Sequence, residues 1–294
     1  MKNEHTVVCE GSLNGQTCDN FLRRVAQCAE DGDKRKKVQI DLSDLGFIGP
    51  YGLVCLYLAV RHLGDFFKKV VVVFPNDIFV KSYMVVMKFP ECTDGFVDIQ
   101  NLEGCEFAEV LITNDILLPL TGIKGDKDSQ ENITEPILLK LKDILQDELH
   151  YDETNIVKLS TIVSELCYNI IDHSEDEGVL AVQRYRRHND GRRFLIVGVG
   201  DLGIGIKNSL GKRYDVSDWS HLDAIIYSLK KNTSRKVDRG FGLYSVKKIT
   251  EDYEGSLHVR SGNSRLYFRS SVHGFDSGLF PGTQVLINLS EQES

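Results

Sequence analysis

The chain predicts an α/β fold in two domains, on three observations. Short β-branched runs alternate with stretches that repeat apolar residues at helical spacing, a polar and turn-rich segment divides the chain near its middle, and 294 residues are too many for one ordinary core. In the first part, Val38–Leu42 and Val70–Phe74 read as buried strands, with Cys18–Cys28 and Tyr51–Leu63 as helices packed on the sheet. The segment Thr121–Pro136 replaces the apolar pattern with turn formers, which sets a first domain at 1–120, a linker at 121–134 and a second domain at 135–294. Two helices are then expected, Ile137–Leu149 and Glu153–His173. A hairpin around His188–Gly191, a glycine stretch, a further helix capped by Ser217 or Asp218, and strands near Leu257–Arg260, Leu266–Arg269 and Gln284–Leu289 follow. The second domain is therefore also α/β, with mostly antiparallel strands.

The net charge of −8 argues against a general attraction to nucleic acid or to an anionic membrane surface, so neither is expected as a partner. Cys9, Cys18, Cys28, Cys55, Cys92, Cys105 and Cys167 form an odd set without a C-x-x-C pair, and they read as reduced, buried thiols. The N-terminal residues lack the layout of a signal peptide, and no apolar run is long enough for a membrane span. A cytoplasmic location is expected.

The stretch Gly198–Lys207 carries two overlapping signatures. From Gly198 it fits the dinucleotide pattern G-x-G-x-x-G, which needs a helix directly after the glycines and a second buried strand ending in an acidic residue about 20 positions on. The following Ile206–Ser220 provides no apolar strand, so this reading fails, and Gly198 and Gly200 are expected to serve tight packing. From Asp201 the same stretch reads as an aspartate closing a strand, with Gly203 and Gly205 behind it. Upstream, Glu165, Asn169 and His173 stand at i, i+4 and i+8 and share one helical face beside Ile162, Val163, Leu166, Ile170 and Ile171. Downstream, Asp238–Ile249 is a basic, glycine-rich turn entering a helix, where free amides and the helix dipole can hold phosphate. Arg239 is its leading phosphate contact, next to Gly240, Phe241, Gly242 and Leu243.

These residues resemble the four boxes of the GHKL ATP-binding superfamily, shared by gyrase, heat-shock chaperones, histidine kinases and mismatch-repair ATPases, in the usual order over roughly 135–290. E-x-x-x-N is Glu165–Asn169, D-x-G-x-G is Asp201–Gly205, the lid glycines are Gly240 and Gly242, and the G-T pair is Gly282–Thr283. The resemblance implies a two-layer α/β sandwich that takes ATP and Mg. Asp201 would accept from the adenine amine, with Thr283 completing the contact, Asn169 would ligate the metal, and Glu165 would act on the nucleophile as the catalytic residue. His173 would either approach the phosphates or cap its helix, and Lys230–Arg239 would form a movable lid over the triphosphate.

Residues 37–63 resemble the central strand, loop and helix of STAS domains, although Gly49-Pro50-Tyr51-Gly52 stands where that family carries its phosphorylated serine. Three functions stay open: an ATP-hydrolysing conformational switch, a serine/threonine kinase of the anti-sigma-factor type, and a nucleotide-binding scaffold without turnover. A protein partner at the STAS-like domain is expected, and a homodimer is admitted.

Overall fold

The computed structural model describes residues 5–104, 116–123, 134–143, 153–174, 176–186, 189, 191–231, 242–269 and 271–290. The first half is parallel. Strands β1 (Thr6–Val8), β3 (Lys37–Asp41), β5 (Lys69–Val73) and β6 (Val97–Gln100) form one sheet in the order β1-β3-β5-β6, with β2 (Gly11–Leu13) and β4 (Leu45–Ile48) as a short parallel pair. Helices α1 (Cys18–Glu30), α2 (Pro50–Gly64), α3 (Ile78–Val86) and α4 (Phe89–Cys92) connect them. Helix α1 turns Cys18, Phe21, Leu22, Val25 and Ala29 inward at helical spacing. Helix α2 opens with Pro50, whose fixed φ suits a first turn, and is buried nearly all round.

The second half is antiparallel. Strands β7 (Ile116–Ile123), β8 (Gly178–Arg186), β9 (Arg193–Asp201), β10 (Ser256–Phe268) and β11 (Val272–Ser290) form a sheet in the order β10-β11-β9-β8-β7. Helices α5 (Thr134–Asp143), α6 (Glu153–Asn169), α7 (Gly205–Gly211), α8 (His221–Ser228) and α9 (Leu243–Asp252) complete it.

Strand alternation explains how the two halves join. On β8, Leu180 and Val182 belong to the core beneath α6 and α9, whereas Val179 and Ala181 belong to the core of the first half. On β9, Leu195, Val197 and Val199 face α6, and Gly198 and Gly200 face α2. A Cβ on Gly198 would stand 2.7 Å from the Tyr51 Cα, and one on Gly200 would stand 2.8 Å from a Leu58 methyl. The glycines of the rejected dinucleotide motif thus let a helix lie directly on the sheet. With both faces covered, β8 and β9 read as continuous apolar runs.

Several expectations are corrected. Strand β7 crosses the expected boundary at 120/121 and is an edge of the second sheet; residues 124–133 of the expected linker lie outside the described residues. The helix at Glu153–His173 is α-helical to Asn169 and then widens into a π turn over Ile170–Ser174. The two strands expected near Leu257 and Leu266 are one strand, bulged around Gly262 at φ 63°, with Arg269 beyond its end. The cap of α8 is Ser220, in a reciprocal capping box with Asp223, rather than Ser217 or Asp218. A short helix, α7, does follow the glycine stretch, but α8 comes next and no parallel strand. Cys9, Cys18, Cys55 and Cys167 are buried free thiols, Cys28 and Cys92 are half-buried, and Cys105 lies outside the described residues. Among the described residues no helix is long and apolar enough to cross a membrane.

Candidate functional site

Asp201 ends β9 and is 4% exposed. Its Oδ1 accepts from the Gly203 N–H at 2.8 Å, and the Thr283 N–H also donates to the carboxylate. Burial nevertheless pushes its pKa up to about 7, with the nearby Asp176 charge adding to the rise and the two amides opposing it. A carboxyl placed this way has unspent acceptor capacity at the base of a cleft.

The loop behind it admits only glycine at two points. A Cβ on Gly203 would fall 1.9 Å from the Ser174 carbonyl oxygen, which already accepts from the Ile204 N–H at 2.9 Å. Gly282, at φ 75°, would place a Cβ 2.0 Å from the Asp201 carbonyl oxygen. The end of β9 and the start of the inner part of β11 therefore interlock. Ser261 ties in the third piece, accepting from the Ile206 N–H at 2.9 Å and donating to the Gly282 carbonyl at 3.1 Å.

Over this floor lies a cleft of about 800 Å³, solvent at its mouth included. Its lining includes Asn169, Asp201, Gly205, Gly242, Leu243 and Thr283, together with Leu166, Ile170, Val199, Ile206 and Val285. An apolar slot with a few convergent polar groups suits a flat aromatic ligand carrying a polar tail. The Asn169 Nδ2 is buried and has no hydrogen-bond partner among the described residues, which leaves a donor at the cleft for an acceptor oxygen.

Glu165 is at the edge of the cleft. It lies one turn from Asn169 on α6 but lines the groove between α5 and α6, beside Leu138, Lys142 and Ser164. Its carboxylate accepts the Gly242 N–H at the start of α9, and burial pushes its pKa up against that bond. The structure thus brings Asn169, Asp201, Gly203, Gly205, Gly242, Leu243 and Thr283 together and ties Glu165 to the edge of the cleft through the Gly242 N–H. The His173 side chain, Arg239, Gly240 and Phe241 lie outside the described residues, as does the expected lid from residue 232 onward.

Sequence reasoning did not find Ser174, Ser261 or Gln284, all part of the site's frame. Ser174 follows the helical stripe by one residue, and its Oγ donates to the Ile170 carbonyl at 2.7 Å, bracing the π turn. Ser261 and Gln284 had no local signal, because their role comes from the β10–β11 register.

Residues 154–292 match the family described as Histidine kinase-, DNA gyrase B-, and HSP90-like ATPase. The match covers α6 through β11, the elements that build the cleft, and supports a GHKL-type ATPase domain there with ATP as its ligand. No curated protein matches the chain.

Proposed function

We propose that the protein is a regulatory ATPase whose second domain binds Mg-ATP and uses the nucleotide as a conformational switch. The observation that carries this reading is the cleft itself, in which a nearly dry carboxyl and the Asn169 side chain converge above a floor built by two obligatory glycines. In this reading the Asp201 carboxylate accepts from the adenine amine, Thr283 flanks it, and Gly203 and Gly205 hold the backbone close to the ring. Asn169 would hold magnesium through its amide oxygen. Among the described residues no three His, Cys, Asp or Glu side chains gather into a metal site, so the phosphates and water would complete the shell. The bound metal would supply charge neutralisation at the phosphates.

Turnover in this scheme asks Glu165 to leave the Gly242 N–H and turn toward the cleft as a proton acceptor, a task to which its raised pKa is suited. Closure of the lid at Lys230–Arg239, with Arg239, Gly240 and Phe241 against the phosphates and His173 nearby, would provide the occasion. The first domain acts as a STAS-like regulatory module and the site of a protein partner. Its Gly49–Gly52 loop carries no serine and packs Tyr51 against Gly198, which favours regulation over a phosphorylation switch.

A second reading, nucleotide binding without turnover, is favoured by the Glu165 carboxylate being held on the Gly242 N–H while its side chain lines the groove between α5 and α6. Incubation of the purified protein with γ-labelled ATP and magnesium separates the cases. Phosphate release supports the switch, label retained on protein supports a serine/threonine kinase, and tight binding with neither supports a scaffold. Absence of any ATP binding would overturn the proposal.

A further inference from the structure

The cleft occupies one face of the second sheet, and the first domain covers the other. Gln284 connects them. Its neighbours Thr283 and Val285 line the cleft, whereas Gln284, 0% exposed, points to the opposite side. There its Nε2 donates to the carbonyl of Asp201 at 3.1 Å and to that of Pro281 at 2.9 Å. Its Oε1 accepts from Nη1 of Arg260 at 3.0 Å, directly across the β10–β11 register.

Arg260 is 1% exposed and cannot shed its proton, so it needs a countercharge. That charge comes from the first domain. Asp19, in the first turn of α1, places Oδ1 3.5 Å from the Arg260 Nε and binds Arg265 with its other oxygen. The remaining Arg260 nitrogen, Nη2, donates to the Gly278 carbonyl at 2.8 Å. An unbroken set of polar contacts therefore runs from α1 to the residue at the base of the cleft.

We propose that Gln284 and Arg260 are positioning residues for the adenine pocket, and that Asp19 makes the geometry of that pocket depend on docking of the first domain. The proposal rests on the nucleotide-binding reading above. Gln284 fixes the carbonyls on either side of the Gly282 approach, and so the separation of the Asp201 carboxylate from the Thr283 N–H. Arg260 orients the Gln284 amide. When Asp19 leaves, Arg260 is a buried cation without its partner and is drawn toward water, and the amide is released. Coupling of this kind is reciprocal, so nucleotide in the cleft must also tighten the seat of α1.

The test measures ADP and GDP affinity by calorimetry for the full chain, for Asp19→Asn, Asp19→Glu and Gln284→Leu, each verified as a cooperative thermal transition. Asp19→Asn and Gln284→Leu should each weaken ADP at least about fivefold and lower the ADP-to-GDP preference, with Asp19→Glu recovering most of it. Folded variants that keep both the ADP affinity and the preference of the parent would overturn the proposal. If the variants do not fold, hydrogen exchange of the parent decides: ADP should slow exchange at Phe21 and Leu22 of α1 and leave Val85 and Val86 of α3 unchanged. Equal exchange with and without ADP at Phe21 and Leu22 would likewise overturn it. A parent chain that binds no ADP would instead sink the nucleotide reading on which the proposal stands.

Discussion

If Asp201 receives adenine as proposed, its raised pKa should make nucleotide affinity depend on pH around neutrality. In the free protein the carboxyl titrates at about 7 instead of 3.8, a rise of about three units that corresponds to about 4 kcal/mol of disfavoured ionisation. In the proposed complex the exocyclic amine would be a third donor beside the Gly203 and Thr283 amides and would favour the ionised form. Binding below pH 7 must then release a proton. The association constant should rise about tenfold between pH 6 and pH 8 and flatten above.

The phosphates titrate in the same range, so the assay compares ADP binding by calorimetry in the parent and in Asp201→Asn across pH 5.5 to 8.5. The variant keeps the phosphate titration and loses the carboxyl one. It should bind ADP about tenfold or more weakly at pH 8, with GDP little changed, because a bond to a charged acceptor is worth about 1.5 to 3 kcal/mol. Its pH profile should also be shallower than that of the parent. The sign for stability runs the other way. A folded pKa above the unfolded value means that Asp201 contributes stability which is full below about pH 4 and lost as pH rises through 7. The nucleotide-free parent should therefore lose thermal stability relative to Asp201→Asn between pH 5 and pH 8. Parallel pH profiles for binding and for melting in the two proteins would refute the reasoning.

Glu165→Ala should keep ADP affinity and lower ATP turnover by about 10²- to 10⁴-fold in a phosphate-release assay; a fully active variant would remove Glu165 from the chemistry. Asn169→Ala should bind ADP with no dependence on magnesium in a titration with and without the metal. Gly203→Ala forces a methyl group into the Ser174 carbonyl and should cost about 1–3 kcal/mol or more of stability by chemical denaturation, with loss of ADP binding. Arg61→Ala removes the partner that Asp176 holds at 3.1 Å, and the freed charge near Asp201 should move the pH midpoint of ADP binding upward.

Much of the cleft's lining was legible because each of its polar groups sits at a punctuated place in the chain. Asn169 closes a helical stripe, Asp201 closes a β-branched run, and Thr283 follows a turn glycine that no other residue can replace. The β5 run and the α2 periodicity were equally plain. What local pattern could not reveal depended on partners far along the chain. The π turn at Ile170–Ser174 is set by Ser174 meeting the backbone of the glycine loop. The placement of β7 in the second sheet depends on its pairing with β8, across the turn-rich segment that looked like a boundary. Glu165 shows the limit of helical spacing. One turn separates it from Asn169, yet its carboxylate is taken up by the Gly242 N–H at the start of α9, a partner that helical spacing alone does not announce.

The same strand alternation that divides the cores also accounts for the unusual titration of Asp201. A strand-end carboxyl on a sheet with one wet face would keep part of its hydration from behind. Here Gly200, the residue before it, lets Val54 and Leu58 of α2 come against the strand, and Leu202, the residue after it, packs on the core of the first half. Water is thus kept from Asp201 on the side away from the cleft, and the cleft is the side from which a compensating donor can arrive. The first half therefore does more than shield an apolar face. By drying the rear of β9 it raises the cost of the empty carboxylate, and a ligand that donates to that carboxylate recovers part of this cost on binding. A second sheet with its rear face open to water would hold Asp201 nearer an ordinary carboxyl pKa and gain less from a ligand that donates to it.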